Sequence, residues 1–259
     1  MLPVAQRILF SAIQTSFCLI VVVFCAASLR AATSGSKVVC RENLSLEQRN
    51  KLASTLRQIT GLGDLSIDEN GALTFDSSVA SGGSPTARTL LEKAVHGTTA
   101  IVIEDASSRA DVVFARVVPA TWKHHAERNA RAYVVLIDFT DFDHLMGDRP
   151  ALRAFDVGWA LLHELDHVVE NSDDPDAPGT AGECETHLNR MRQECGLPLR
   201  ADYFHSVWPA SGSGDFKTLF VRLSFVQPGD GANPKRQYWL IWDARLVGGI
   251  EENRLAILR

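Results

Sequence analysis

The stretch Ala160-Leu-Leu-His-Glu-Leu-Asp-His-Val-Val-Glu170 decides how the rest of the chain is read. It contains H-E-x-x-H as His163, Glu164 and His167, and a helical spacing of four puts the two imidazoles on one face, one turn apart. Two neutral imidazole nitrogens suit Zn2+, and a catalytic zinc needs a third protein ligand and an open fourth position for water. Glu164, beside the first histidine, then reaches that water as a general base in carbonyl hydrolysis. Trp159, Leu161, Leu162, Leu165, Val168 and Val169 give the helix the apolar character of a buried element. Asp166 is a charge within that apolar run and calls for solvent or a cationic partner.

Downstream, Gly179-Thr-Ala-Gly-Glu-Cys-Glu-Thr-His-Leu-Asn-Arg-Met-Arg-Gln-Glu-Cys-Gly196 reads as a second helix over 181–195 and offers Glu183, Glu185 and His187 as third ligands. Thr180 and Glu183 form T-x-x-E, a capping box that gives Glu183 a structural task and makes it second choice. Cys184, Leu188, Met191 and Cys195 form the apolar stripe. Glu185 and Asn189 lie on one flank and His187 on the other, so periodicity leaves the choice open. The cysteines are eleven residues apart, roughly 16 Å along a helix, and cannot bridge each other; Cys40 could pair with either, and buried free thiols are the simpler reading.

The H-E-x-x-H followed by Glu185-x-x-x-Asn189 resembles the gluzincin branch of the zincin metallopeptidases. From Ala160 to Tyr203 the chain is similar to compact bacterial effector metallopeptidases, matching at Asn189, Arg192, Glu194, Gly196, Leu197, Pro198, Arg200 and Tyr203 and departing at Asp166 and Leu188. The resemblance implies Glu185 as third zinc ligand, with Asn189 orienting the first histidine. It also implies an α+β, zincin-like fold, a small mixed sheet packed on the H-E-x-x-H helix and a second ligand-bearing helix. Tyr203 is read either as an oxyanion donor or as a tyrosine packed against the helix pair. Arg192 and Arg200 could bind a substrate carboxylate, or neutralise Asp166 and Glu194.

Around this pair of helices, a Ser45/Gln48 capping box opens a helix to Ile59, and Glu69-Asn-Gly71 turns a hairpin, together spanning 45–76. Ser84-Pro85 starts another helix. Apolar runs at 100–105, 112–118 and 132–139 make a sheet over 98–142, followed by an acidic loop with Asp138, Asp141, Asp143 and His144. The motif helix is expected over 151–170, and a hairpin closes the chain over 217–245.

Residues 1–32 carry no acid and an apolar run over 8–27, the layout of a signal peptide or an uncleaved membrane anchor. The expected location is therefore secreted or periplasmic, with residues 33–259 as one domain. Without Arg7 and Arg30 the net charge moves from −5 to −7, which argues against nucleic acid, and the resemblance implies a peptide or protein substrate as the partner. Three hypotheses follow. The leading one is a zinc peptidase, the second an exported zincin-fold binding or scaffolding protein without turnover, and the third a plain structural helix with no metal.

Overall fold

Strand β1 (Val38–Cys40) leads into helix α1 (Leu46–Thr60), which starts at the reciprocal Ser45–Gln48 capping box. Gly61, at φ 74°, ends α1 in the left-handed conformation, and a Cβ there would meet the carbonyl oxygen of Gly82 at 2.4 Å. Strands β2 (Ser66–Ile67) and β3 (Leu73–Thr74) pair as a short hairpin. Helix α2 (Pro85–His96) is capped by Ser84 and, from the far end of the chain, by Glu194. The Glu194 carboxylate accepts from Ser84 Oγ at 2.6 Å, Thr86 Oγ1 at 2.7 Å and the Thr86 amide at 3.0 Å, an anion on a helix N-terminus.

The computed structural model describes residues 36–107, 109–121, 131–209, 219–229 and 234–247, so the leader over 1–32 and residues 217–218 lie outside the described residues. No helix among the described residues is long and apolar enough to cross a membrane.

Strands β4 (Ala100–Asp105), β5 (Ala115–Thr121) and β6 (Arg131–Ile137) join β1 in a sheet ordered β1-β4-β6-β5. The first three are parallel, and β5 runs antiparallel to β6 along the edge. Alternation assigns the faces: Ile101, Ile103, Val135 and Ile137 join the helical core, whereas Val102, Val134 and Leu136 lie in a cluster on the other side. The strand expected from Val112 begins only at Ala115. Phe114 takes φ 61°, held there by Asp141 Oδ2 accepting its amide at 2.8 Å and by the Asp138 amide donating to its carbonyl at 2.9 Å.

The single helix expected over 151–170 is two. After β7 (Met146–Gly147), α3 (Arg149–Arg153) stops, and α4 (Val157–Val169) starts afresh where Asp156 Oδ1 accepts the amides of Gly158 at 2.8 Å and Trp159 at 3.2 Å. Gly158 lets α4 lie close on α1, since a Cβ would meet Thr55 Oγ1 at 2.7 Å. After α5 (Gly182–Glu194) come β8 (Leu199–Arg200), β9 (Ser206–Pro209), β10 (Leu219–Gln227) and β11 (Arg236–Asp243). The C-terminal hairpin is the centre of a five-stranded antiparallel sheet: β10 pairs with β11 on one side and with β8 and β9 on the other, and β7 extends β11. Its inner residues Val221, Leu223, Phe225, Leu240 and Trp242 pack on Phe114, Ala151, Ala154 and Phe155 as a second core. The architecture is α+β, with the motif helix α4 anchored in the first core and α5 beside it.

Candidate metal centre

Leu161, Leu162 and Leu165 fix one side of α4 in the core, which turns His163, Glu164 and His167 the other way. The His163 and His167 Nε2 atoms are 3.1 Å apart. Past the end of α4 the chain reverses at Asn171, φ 55°, and brings Asp174 back over the histidines. Asp174 Oδ1 lies 3.3 Å from His163 Nε2, and Oδ2 lies 3.5 Å from His167 Nε2. Donors at about 2.0–2.1 Å from one tetrahedral ion are about 3.3–3.4 Å from each other, so these separations fit a single small ion. Apart from that approach to His163 Nε2, the buried Asp174 Oδ1 has no hydrogen-bond partner among the described residues.

Cys184 completes a four-residue group whose ligand atoms lie within 4.8 Å of one another, and the group could hold a metal ion. Its sulfur lies 3.2 Å from Nδ1 of His163, on the far side of the ring from the Nε2 that faces His167 and Asp174. It therefore buttresses that imidazole. His167 is steadied in the same way, Nδ1 standing 2.8 Å from the Ser172 carbonyl; with the proton on Nδ1, Nε2 is left as a lone-pair donor toward the centre.

The electrostatics follow from packing. Burial alone would lower the His167 pKa, but Asp174 and the Ser172 carbonyl outweigh it and raise it to about 9. Burial likewise favours protonation of Asp174, and the two imidazoles and Tyr203 overcome it, holding this carboxyl well below the usual range. Glu164 is buried and its pKa is pushed up by that burial, against the opposing pull of His163 and His167; the backbone of Val117 in β5 hydrogen-bonds to it.

No family model, curated protein or solved structure matches the chain.

The structure does not bring Glu185 into the group. Fully buried, it is gripped by Arg192 and, at 3.0 Å, by Arg200, which hold its pKa down against the effect of burial. Asn189 does not touch His163 either. Its oxygen accepts from Arg192 at 3.0 Å and from the Arg200 amide at 2.8 Å, while its nitrogen donates to the Arg200 carbonyl at 2.9 Å. The Thr180/Glu183 capping box is absent: Glu183 is exposed, and the amides of Glu183 and Cys184 instead donate to the Asp173 carbonyl at 3.2 and 3.4 Å. His187 stands 2.9 Å from Asp166, which also accepts from Ser172 Oγ at 2.5 Å. Asp166 is thus satisfied in place at 1% exposure, by His187 and Ser172 and not by Arg192 or Arg200. Cys40, Cys184 and Cys195 are all free thiols.

Tyr203 donates its hydroxyl to Asp174 Oδ2 at 2.6 Å and stacks on His163 at 6.0 Å between ring centroids. Its phenol is committed to a carboxylate at the centre. Asp138 and Asp141 are spent on the Phe114 turn and its own loop, and Asp143 pairs with Lys51 at 2.8 Å. Beside His163 and Glu164 opens a cavity of about 220 Å³, lined by Val113 and Phe114 of the turn that leads into β5, by Ala115, by α4 and α5, and by Leu223 and Trp242 of the second sheet. Asp174, the residue sequence reasoning missed, had one signal: it is an acid in the short link between two helices that both face the site.

Proposed function

We propose that this chain is an exported zinc-dependent peptidase in which His163, His167 and Asp174 hold Zn2+ and Glu164 handles the proton during peptide-bond hydrolysis. The observation that carries the reading is the convergence of two imidazole nitrogens and an otherwise unpartnered buried carboxylate oxygen at 3.1–3.5 Å, beside a buried glutamate. Two histidines and one carboxylate are a donor set that zinc takes in open, three-ligand sites. Bound there, zinc would supply Lewis acidity and make a water acidic near neutral pH.

The chain's own residues supply the rest. Glu164, its proton affinity raised by burial, accepts a proton at its carboxylate and returns it to the departing nitrogen. Tyr203 fixes Asp174 by its hydroxyl, and Cys184 and Ser172 fix the two imidazoles. Strand β5 is a sheet edge against α4, so an extended substrate can add alongside it by backbone pairing. A sheet edge in front of the H-E-x-x-H helix, with a second helix beside it, supports the finer, zincin-like reading of the α+β fold.

The test is metal analysis of the full chain and of Glu164→Gln, with both assayed on a mixed peptide library. About one zinc per chain in both, with cleavage falling at least about a hundredfold in the variant, is the expected result. Zinc without cleavage in either protein favours a non-catalytic binding protein, and no zinc in either removes the site.

A further inference from the structure

The cavity beside His163 and Glu164 is walled by apolar side chains, among them Phe114, Phe155, Leu188 and Leu223, yet residues of that wall also carry hydrogen-bond donors with no partner among the described residues. Trp242 is 3% exposed, and its buried indole N–H has no partner among the described residues. Arg192, 1% exposed, spends Nε on the Ala154 carbonyl at 2.9 Å and one terminal nitrogen on Glu185 and Asn189; its other terminal nitrogen bonds to no described residue. Arg200 lines the same cavity and shares the carboxylate of Glu185, while its Nε donates to the Asp202 carbonyl at 3.2 Å and its other terminal nitrogen to the Tyr203 carbonyl. Glu164, the other acid on the lining, faces the histidines. Two guanidiniums share one hydrogen-bonded carboxylate, with Asp156 a more distant acid facing Arg192, and an unmatched donor in this apolar setting is expensive. The complementary group is negative, accepts without donating, and rides on an apolar stem.

We infer that this cavity is a substrate subsite for a carboxylate on an aliphatic or aromatic stem, with the Trp242 indole N–H and the Arg192–Arg200 pair as its donors. The carboxylate is either an acidic side chain of a peptide or a chain terminus. The assignment of this ligand as part of a substrate rests on the peptidase reading; the preference for a carboxylate does not.

The first arm titrates 3-phenylpropionate and its amide, equal in shape and different in charge, into the metal-free full chain and follows the indole N–H resonances, one for each of the five tryptophans. The acid is expected to bind at least about tenfold more tightly than the amide and to shift one indole N–H that disappears in Trp242→Phe, a variant expected to weaken the acid by roughly three- to tenfold. Equal affinities for acid and amide overturn the proposal. So does an acid preference that moves no indole resonance of the wild-type protein, a result that stands even if the variant fails to fold. The second arm measures cleavage of acetylated hexapeptides by the metal-loaded full chain, with amidated or free C-termini and with Glu, Gln, Asp or Asn at each position. A preference for Glu or Asp over its amide identifies a side-chain source, and a preference for the free terminus identifies the chain end. Cleavage indifferent to both overturns the subsite, whereas no cleavage with the first arm intact counts against the peptidase reading alone.

Discussion

Asp174, half-buried, and Glu185, fully buried, are both carboxylates within reach of the motif helix, and their partners divide their roles. Asp174 sets Oδ1 against the His163 imidazole and Oδ2 against that of His167, while Glu185 is neutralised by two guanidiniums. Asp174→Asn is therefore expected to abolish stoichiometric metal binding in a folded protein. Glu185→Gln is expected to keep the metal and lose about 3–5 kcal/mol of stability, because two buried cations lose their counter-charge; metal analysis beside chemical denaturation separates the two. Tyr203→Phe removes the hydroxyl that holds Asp174, so the metal dissociation constant should rise roughly 10- to 100-fold, with turnover recovering in excess zinc. A phenol acting on the oxyanion would instead leave metal affinity unchanged and lower turnover at every zinc concentration. His163, Glu164 and His167 could be read from the sequence because helical spacing fixes their common face. Asp174 could not, since a loop residue has no period and its direction comes from the reversal at Asn171. Asn189, Arg192 and Arg200, which a sequence resemblance singled out, share one buried network around Glu185.

At the scale of elements, the start of α4 is set by Asp156, and its chemistry predicts a pH dependence. Burial raises the Asp156 pKa to about 6, against the amides of Trp159 and Gly158 and the more distant Arg192 and Lys51, which all favour the charged form. The native state then binds more protons than the unfolded chain between the ordinary carboxylate pKa and about 6. This contribution makes stability fall as pH rises through that window, and its full cost is present above it. Asp156→Asn keeps an amide-accepting cap and removes the titration, so the variant's melting temperature, relative to wild type, should be higher at pH 7 than at pH 4. A difference that stays flat between those pH values would refute the assignment. Asp141, also raised to about 6 by burial, leaves a remainder of the same sign in the variant. The break between α3 and α4 was not visible in the apolar pattern, because Arg-Ala-Phe-Asp carries no Gly or Pro and continues the helical spacing on both sides. Only the capping preference of Asp156 marks it. The helix at Ser45 and the strands β4 and β6 were legible for the opposite reason: their caps and alternation agree with their packing.

For the whole molecule, the question is how much of its stability passes through the centre. The second sheet could not be assembled from sequence, since β7 and β8 are two residues each and β9 four, too short to show a period; their pairing is imposed by β10 and β11. Beside its apolar packing on α3, this sheet is joined to α4 and α5 by a polar layer. Arg192 of α5 donates to the carbonyl at the end of α3 and lies 5.1 Å from the Trp159 ring of α4 and 5.7 Å from the Phe225 ring of β10. Arg200 of β8 closes on Glu185 and Tyr203, and Tyr203 closes on Asp174. Metal loading therefore acts on a ligand set linked to both cores, whereas the unfolded chain presents those ligands without arrangement. A ligand confined to the native state adds about 2.7 kcal/mol at a hundred times its dissociation constant. For a domain of this size that corresponds to roughly 5–10 °C in melting temperature. Calorimetry of chelator-treated protein with and without added zinc should show a rise of that order, reversed by chelator and absent in Asp174→Asn. Magnesium, which prefers six oxygen ligands, should leave the metal-free value unchanged. Equal melting temperatures with and without zinc would make α4 an ordinary core helix, its histidines held by Asp174, Ser172 and Cys184 alone.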